Sequence, residues 1–313
     1  MNILVGYTGF VGSNIYANGV FDAVYNSKNI GEAYGTKPDL LIYAGLRAEK
    51  YLANHAPEKD WQLIREAEEN IAQIAPRKLV LISTIDVFQN PRNVNEESVV
   101  ETDSGMAYGY HRYQLELWGR KHFADALIIR LPGLFGKNLK KNFLYDYINI
   151  IPYMLRESKL EELSERDAEL KQYYQNQGDG FYKVKDLDEN VRKRLQQKCQ
   201  SLGFTALDFT DSRSVYQFYP LNRLWSDIHI ALEHDLRIWH PATEPLSAGE
   251  IYHFLSGENF VNELTGTPAY YDYRTRYAEI FGGRDGYICD KKAVLKEIKE
   301  FVENERNGRQ DTH

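Results

Sequence analysis

Three glycines spaced by three, Gly6, Gly9 and Gly12, directly follow the apolar run Ile3-Leu4-Val5 and open a helix-like stretch that continues through Ile15. A strand that turns at once into a helix, with a bare turn between them, restricts the fold more than any other feature of this chain. Gly6 lets the backbone leave the strand sharply, Gly9 removes a Cβ from the outer surface of the turn, and Gly12 lets the helix pack close to the sheet. The first N–H groups of that helix, with its partial positive charge, are then presented to a phosphate. The expectation is a dinucleotide site in which Gly6, Thr8, Gly9, Phe10, Val11 and Gly12 meet the cofactor.

The following residues repeat the same alternation. Ala23-Val24-Tyr25, Leu40-Leu41-Ile42-Tyr43, Leu79-Val80-Leu81-Ile82 and Leu127-Ile128-Ile129 are short apolar runs, separated in part by helical stretches over 60–74 and 107–122. Continuously apolar strands between helices indicate a parallel sheet covered on both faces. The fold class is therefore α/β, a doubly wound parallel (Rossmann) sheet with a smaller, mostly helical C-terminal substrate region. Ligands are expected beyond the carboxyl ends of the strands, at Ala44 and Gly45 among other places. The length of 313 residues suits about two domains. The predicted division is a dinucleotide-binding domain over 1–150 with 214–240 returning to it, an inserted, mostly helical segment over 151–213, and a substrate-binding region over 241–313. Within the insertion, Leu187, Val191, Leu195 and Leu202 fall at helical spacing, with acidic residues first, basic residues after them and Gly203 past the end. Ser247 and Glu250 form a capping box for a later helix.

The second strand ends in Asn26-Ser27-Lys28. A carboxylate there would bond an adenosine 2′-hydroxyl. An amide, a hydroxyl and an ammonium instead favour a 2′-phosphate, so NADP is the expected cofactor and NAD the alternative. The chain carries 38 Lys and Arg against 45 Asp and Glu, a net charge of −7, which argues against a general field for nucleic acid or an anionic membrane. No apolar run approaches the roughly 20 residues that span a bilayer. The N-terminus lacks a basic leader and reads as a first strand, not a signal peptide. Cys199 and Cys289 have no partner spacing, so neither a disulfide framework nor a zinc site is expected, and the expected location is cytoplasmic. The histidines show no metal-ligand spacing, and no metal is expected.

Thr84 ends a buried strand, and Tyr108 and Arg112 lie four residues apart on one face of a helix. A hydroxyl, a phenol and a cation in this order suit carbonyl chemistry. Thr84 bonds the substrate oxygen, Tyr108 exchanges a proton with it, and the cation stabilises a phenolate and bonds the nicotinamide ribose.

Together these motifs resemble the extended short-chain dehydrogenase/reductase superfamily, the NAD(P)-dependent sugar epimerase/dehydratase group. Gly6-x-x-Gly9-x-x-Gly12 is similar to its cofactor turn, Thr84 before Val87-Phe88 to its catalytic Ser or Thr, and Tyr108-Gly109-x-x-Arg112 to its Tyr-Gly-x-x-Lys helix. Ile129 through Gly136 resembles the strand and loop that hold nicotinamide and substrate, which implies cofactor contacts at Leu131 and Gly133. The resemblance leaves out about 155–210. Ser83-Thr84-Ile85-Asp86-Val87-Phe88 is most similar to the nucleotide-sugar 4-keto reductases of the dTDP-4-dehydrorhamnose reductase type. Sugar dehydratases carry Asp-Glu after the Thr, and Ile85 cannot serve as that acid. The resemblance implies substrate contacts at Asp86 and Asn142, and a homodimer through the helices near 60–74 and 107–122.

Arg112 stands where the group has Lys. Arg keeps the charge and does not deprotonate. Reduction needs only a neutral phenol as acid, so this departure favours the reductive direction. The leading expectation is an NAD(P)-dependent reductase of a keto group on a nucleotide-linked sugar. An NAD(P)-dependent nucleotide-sugar epimerase is the second reading. A cofactor-binding module without catalysis, which uses the insertion to bind a protein partner, is the third. Arg213, Arg223, Arg274 and Arg276 are candidates to hold a substrate diphosphate. Tyr270-Tyr271-Asp272-Tyr273 is a candidate to stack a base or sugar. His111 and His122 flank the Tyr108 helix and read as partly exposed helix histidines, with His111 a minor candidate for substrate contact.

Overall fold

The computed structural model describes residues 1–101 and 106–308. They fall into two compact units. The first comprises 1–139, 215–246 and 270–301, and the second 140–214, 247–269 and 302–313. The segment expected as 241–313 is thus shared between them.

The first unit is built on a six-stranded parallel sheet. Strands β1 (Asn2–Val5), β2 (Ala23–Tyr25), β3 (Leu40–Tyr43), β4 (Lys78–Thr84) and β5 (Leu127–Leu131) run in the order 2-1-3-4-5, and Ile238–Trp239 adds the last strand beside β5. Ile3, Leu4, Leu41, Ile42, Leu79, Val80, Leu127, Ile128 and Ile129 are fully buried, as strands covered on both faces require. The order changes direction at β1, so the loops after β1 and β3 flank a crevice at the carboxyl edge of the sheet.

Helix α1 (Phe10–Asn18) follows the glycine turn. Lys50–His55 forms α2, Pro57–Ile74 forms α3, and Ala107–His122 forms α4. Ile64, Ala67, Ile71 and Ile74 of α3 pack into one core with Leu115 of α4 and the strands. Gly109 lets α4 approach the turn after β4, where a Cβ would stand 2.0 Å from the Asp86 carbonyl oxygen. Beyond β5, β6 (Gly133–Phe135) pairs in parallel with Phe218–Pro220, so the chain returns to this unit as expected.

The second unit has its own core of Ile151, Leu155, Leu160, Leu163, Leu170, Leu195, Cys199 and Leu202. Helices α5 (Phe143–Asn149), α6 (Glu157–Arg166), α7 (Glu189–Leu202) and α9 (Ala248–Ser256) belong to it, while α8 (Leu224–Glu233) belongs to the first. Asp188 caps α7 through Val191 N–H at 2.9 Å, and Gly203 ends it at φ +63°. The capping box at Ser247 and Glu250 is present on α9. The insertion also contains a sheet. Strands β7 (Met154–Arg156), β8 (Tyr174–Asn176) and β9 (Phe181–Val184) form an antiparallel sheet with β9 in the middle. Runs of three or four residues, two of them joined by a turn with Gly178 and Gly180 at positive φ, are too short to stand out from a charged background. Both cysteines are free. Among the described residues no helix is long and apolar enough to cross a membrane.

Candidate active site

The glycine turn is built as a cradle. Gly6 sits at φ +92° and donates its N–H to Tyr25 O at 2.7 Å. A Cβ on Gly6 would lie 2.4 Å from Ala44 O, and one on Gly12 would lie 2.1 Å from Gly6 O. The loops after β1 and β3 therefore touch, and only glycine fits where they do. Gly9 differs, because a Cβ there would meet only Gly6 O, at 3.3 Å. Thr8, Gly9 and Gly45 are exposed, and no side chain caps α1. The first N–H groups of α1 thus face a bare surface, and these residues fit a pyrophosphate.

At the end of β2, Asn26 Oδ1 accepts from Lys28 N–H at 2.9 Å, and Asn29 Oδ1 accepts from Asn26 N–H at 2.8 Å. The Asn26 carboxamide shapes the turn, while Ser27 and Lys28 are exposed beyond it. Leu131 is buried opposite Thr84 in the β4–β5 pair, and Gly133 is exposed just after it.

The gap between α4 and the end of β4 holds the reactive groups. The Thr84 hydroxyl lies beside the Tyr108 phenol and favours its ionised form. Tyr108 is buried, and its N–H donates to Asn54 Oδ1 of α2 at 3.2 Å. Burial pushes the Tyr108 phenol above its usual range. The Arg112 charge opposes this, and the Asp86 carboxylate adds to it. The Asp86 N–H donates to Thr84 Oγ1 at 3.2 Å. Its carboxylate accepts from Lys50 Nζ at 3.0 Å and from the Tyr271 hydroxyl at 2.9 Å. Thr84, Asp86, Tyr108 and Arg112 are therefore brought together.

Arg112 is tied to α3 and to the segment after β3. Its guanidinium lies over the Tyr108 ring, 4.0 Å from the centroid. One terminal nitrogen donates to Asp60 Oδ2 at 2.5 Å and the other to Arg47 O at 2.8 Å. Asp60 also accepts from His111 Nδ1 at 2.8 Å, so His111 is a buried partner of an ion pair and not a partly exposed histidine. His122 contacts the Trp118 carbonyl. Asp60 shares the buried face of α3 with Ile64, Ala67, Ile71 and Ile74. A carboxylate in phase with an apolar stripe was the readable sign of this pair.

A second buried network lies behind the first. Glu116 of α4 accepts from Arg130 Nε at 3.0 Å and from its terminal nitrogen at 2.7 Å, while the Ser83 hydroxyl donates to Glu116 at 2.5 Å. Arg130 also donates to His240 Nε2 at 3.3 Å. Burial, aided by the Arg130 charge, pushes His240 down to about 3, so the ring is neutral and accepts. This network ties the helix carrying Tyr108 to the strand carrying Thr84.

The arginines considered for a diphosphate are all paired with carboxylates: Arg213 with Asp211 and Glu263, Arg223 with Asp227 and Glu297, Arg274 with Asp272, and Arg276 with Glu97. Asn142, in the second unit with Arg213, uses its Oδ1 to cap α5 at Leu144 and Tyr145 N–H. Among the described residues no cluster of His, Cys, Asp or Glu is arranged to hold a metal ion.

Gly9→Ala is expected to fold with a loss on the order of 1 kcal/mol, the cost of a poorer helix cap. It should bind dinucleotide about tenfold or more weakly, because its Cβ enters the bare surface of the cradle. A fluorescence titration with NADPH beside a thermal melt separates the two effects. Wild-type affinity in this variant would remove Gly9 from the cofactor site.

No protein-family model matches the chain, and no curated protein sequence matches it. Solved structures do. A dTDP-4-dehydrorhamnose reductase from Yersinia enterocolitica is 14% identical, over 96% of this chain and 98% of that one, with a TM-score of 0.62. The enzyme of the same name from Bacillus anthracis, in complex with NADP, is 14% identical over 97% of each chain, with a TM-score of 0.61. A UDP-N-acetylglucosamine 4-epimerase from Methanobrevibacter ruminantium is 10% identical over 99% of this chain and 98% of that one, again with a TM-score of 0.61. The chain has the fold that these sugar reductases and epimerases share, the one implied by the resemblance to extended short-chain dehydrogenases/reductases.

Proposed function

We propose that the chain is an NAD(P)-dependent oxidoreductase, with NADP(H) preferred, that reduces a keto group on a nucleotide-linked sugar. The observation that carries this reading is the meeting of Thr84, at the carboxyl end of β4, with Tyr108 and the Arg112 guanidinium over its ring, in the same unit as the glycine cradle. The dinucleotide supplies the hydride. Gly6, Gly9, Gly12 and the first turn of α1 hold its pyrophosphate, and Ser27 and Lys28 receive the 2′-phosphate. Ala44, Gly45, Leu131 and Gly133 line its path.

Thr84 orients the carbonyl oxygen, and Tyr108 delivers a proton to it as negative charge develops. Arg112 supports the phenol from its ring face. A phenol that must act as a base near neutrality has to come down by roughly 3 units, about 4 kcal/mol. Burial moves Tyr108 the other way, and Arg112 is shared with Asp60. Both features favour giving a proton over taking one, hence reduction over the oxidation that an epimerase must also perform. The reading includes a cytoplasmic location, in keeping with the two free cysteines, and a homodimer through α3 and α4.

The test is NADPH consumption with a dTDP-linked 4-keto-6-deoxy sugar and a panel of UDP- and GDP-linked keto sugars. Consumption matched by alcohol product supports the reading. Inverted sugar without net consumption points to an epimerase. Bound NADPH with no change in any sugar points to a binding module.

A further inference from the structure

The Arg112 guanidinium is fixed by three acceptors from three segments. One terminal nitrogen donates to Asp60 Oδ2 of α3 at 2.5 Å and to the Tyr108 carbonyl, one turn back on α4, at 3.3 Å. The other donates to the Arg47 carbonyl, in the segment after β3, at 2.8 Å. The plane held in this way lies over the Tyr108 ring, 4.0 Å from its centroid. A lysine ammonium has no plane to lay on a ring and no rigid fork to bridge these acceptors, so an arginine suits this place for a geometric reason. Arg112 and Asp60 are both buried, so water neither screens the pair nor replaces either member. Asp60 also accepts from His111 Nδ1 at 2.8 Å, and the His111 ring packs against Trp61. Proton delivery by Tyr108 and orientation of the carbonyl by Thr84 leave Asp60 and His111 without a part.

We propose that Asp60 is a positioning residue for Tyr108: through its bond to Arg112 it seats the guanidinium on the phenol ring and matches its charge there, so that the ring is held without its proton being drawn off. The proposal rests on the reading of Tyr108 as the acid. The contacts run without a break from Asp60 to Arg112 and from Arg112 to the Tyr108 ring. A buried cation without a counter-charge against that ring would favour the phenolate. A carboxylate bonded to the cation leaves little net charge for the ring to feel. His111, from α4, holds Asp60 from its other side. The remaining groups that face Tyr108 are the Thr84 hydroxyl, the Asp86 carboxylate from the turn after β4, and the Tyr271 phenol. Asp86 is matched by Lys50 of α2, as Arg112 is matched by Asp60.

The experiment is a pH titration of the full chain without substrate, read by carbon NMR of ring-labelled tyrosine. The Tyr108 resonance is the one that Tyr108→Phe removes. Asp60→Asn keeps an acceptor for Arg112 and deletes the charge, and is expected to lower the Tyr108 midpoint by about one unit. A carboxylate that served only to hold α3 against α4 would leave that midpoint where it was. Asp60→Asn combined with Arg112→Gln removes both charges and is expected to titrate within about half a unit of the wild type. A folded Asp60→Asn protein with an unchanged or raised midpoint overturns the proposal. If that variant fails to fold, the double variant decides, since a buried ion pair is often replaced by uncharged groups without loss. A midpoint raised further than stated would mean that Arg112 acts on the ring as an unmatched cation, and the proposal falls. Failure of the reductase reading would show up separately, as absent NADPH consumption by the wild type with these midpoints as expected.

Discussion

Tyr108→Phe is expected to lower reductive turnover by roughly 10²–10⁴-fold, the usual worth of a positioned general acid, while leaving NADPH affinity nearly unchanged. The phenylalanine keeps the ring on which Arg112 lies and removes one hydroxyl. The loss to folding should be about 1 kcal/mol, the usual net worth of one hydroxyl's hydrogen bonding. Steady-state rates with NADPH and the best keto sugar, beside a cofactor titration, separate the two quantities. A rate within a few-fold of wild type would mean that the carbonyl receives its proton from elsewhere, and Tyr108 would lose its place in the mechanism.

The second large effect is on stability. Glu116→Gln is expected to destabilise the protein by about 3–5 kcal/mol, because it leaves the Arg130 guanidinium buried without a counter-charge. Glu116 is fully buried and Arg130 is 2% exposed, so water cannot replace the lost partner. That loss is a large part of the roughly 5–15 kcal/mol that holds a typical domain together. Urea unfolding measures it. Removing the stranded charge as well, in Glu116→Leu with Arg130→Met, should recover most of the stability, because a well-packed apolar pair often does as well as a buried ion pair. A single variant as stable as wild type would show that Arg130 finds another partner. A milder loss of turnover should accompany the loss of stability, since the network sets the distance between Ser83's neighbour Thr84 and the helix of Tyr108.

Much of the first unit was legible because its signals are local. Ile3 to Val5, Leu40 to Tyr43 and Leu127 to Ile129 are apolar enough to be read as buried strands, and the glycines between Val5 and Ser13 have a spacing that only a tight turn into a helix uses. The α7 boundaries could be read from Asp188 and Gly203, which act within a single turn of the chain. What could not be read was pairing across distance. Glu116 and Arg130 look like ordinary surface charges in a sequence, since burial of a charge depends on a partner from another element. Lys50 and Tyr271 meet at Asp86 from far apart along the chain, and no periodicity marks either of them. The Ile238–Trp239 strand is two residues long, shorter than any pattern can register. The cradle was therefore readable in sequence, while the electrostatic setting of its acid was not.

The parallel sheet takes its last strand from Ile238–Trp239, and its hydrophobic core takes Tyr219, Leu224, Ile228, Phe281 and Ile288 from late in the chain. A ribosome that has made only the first 139 residues has therefore produced an open edge beside β5 and an uncovered apolar face. Such a nascent chain has to be kept from sticking to its neighbours while the intervening segments of the second unit, 140–214 and 247–269, are synthesised. Completion of the nucleotide-fold half is thus a late event in the life of each molecule, although its most recognisable motif is the first to emerge.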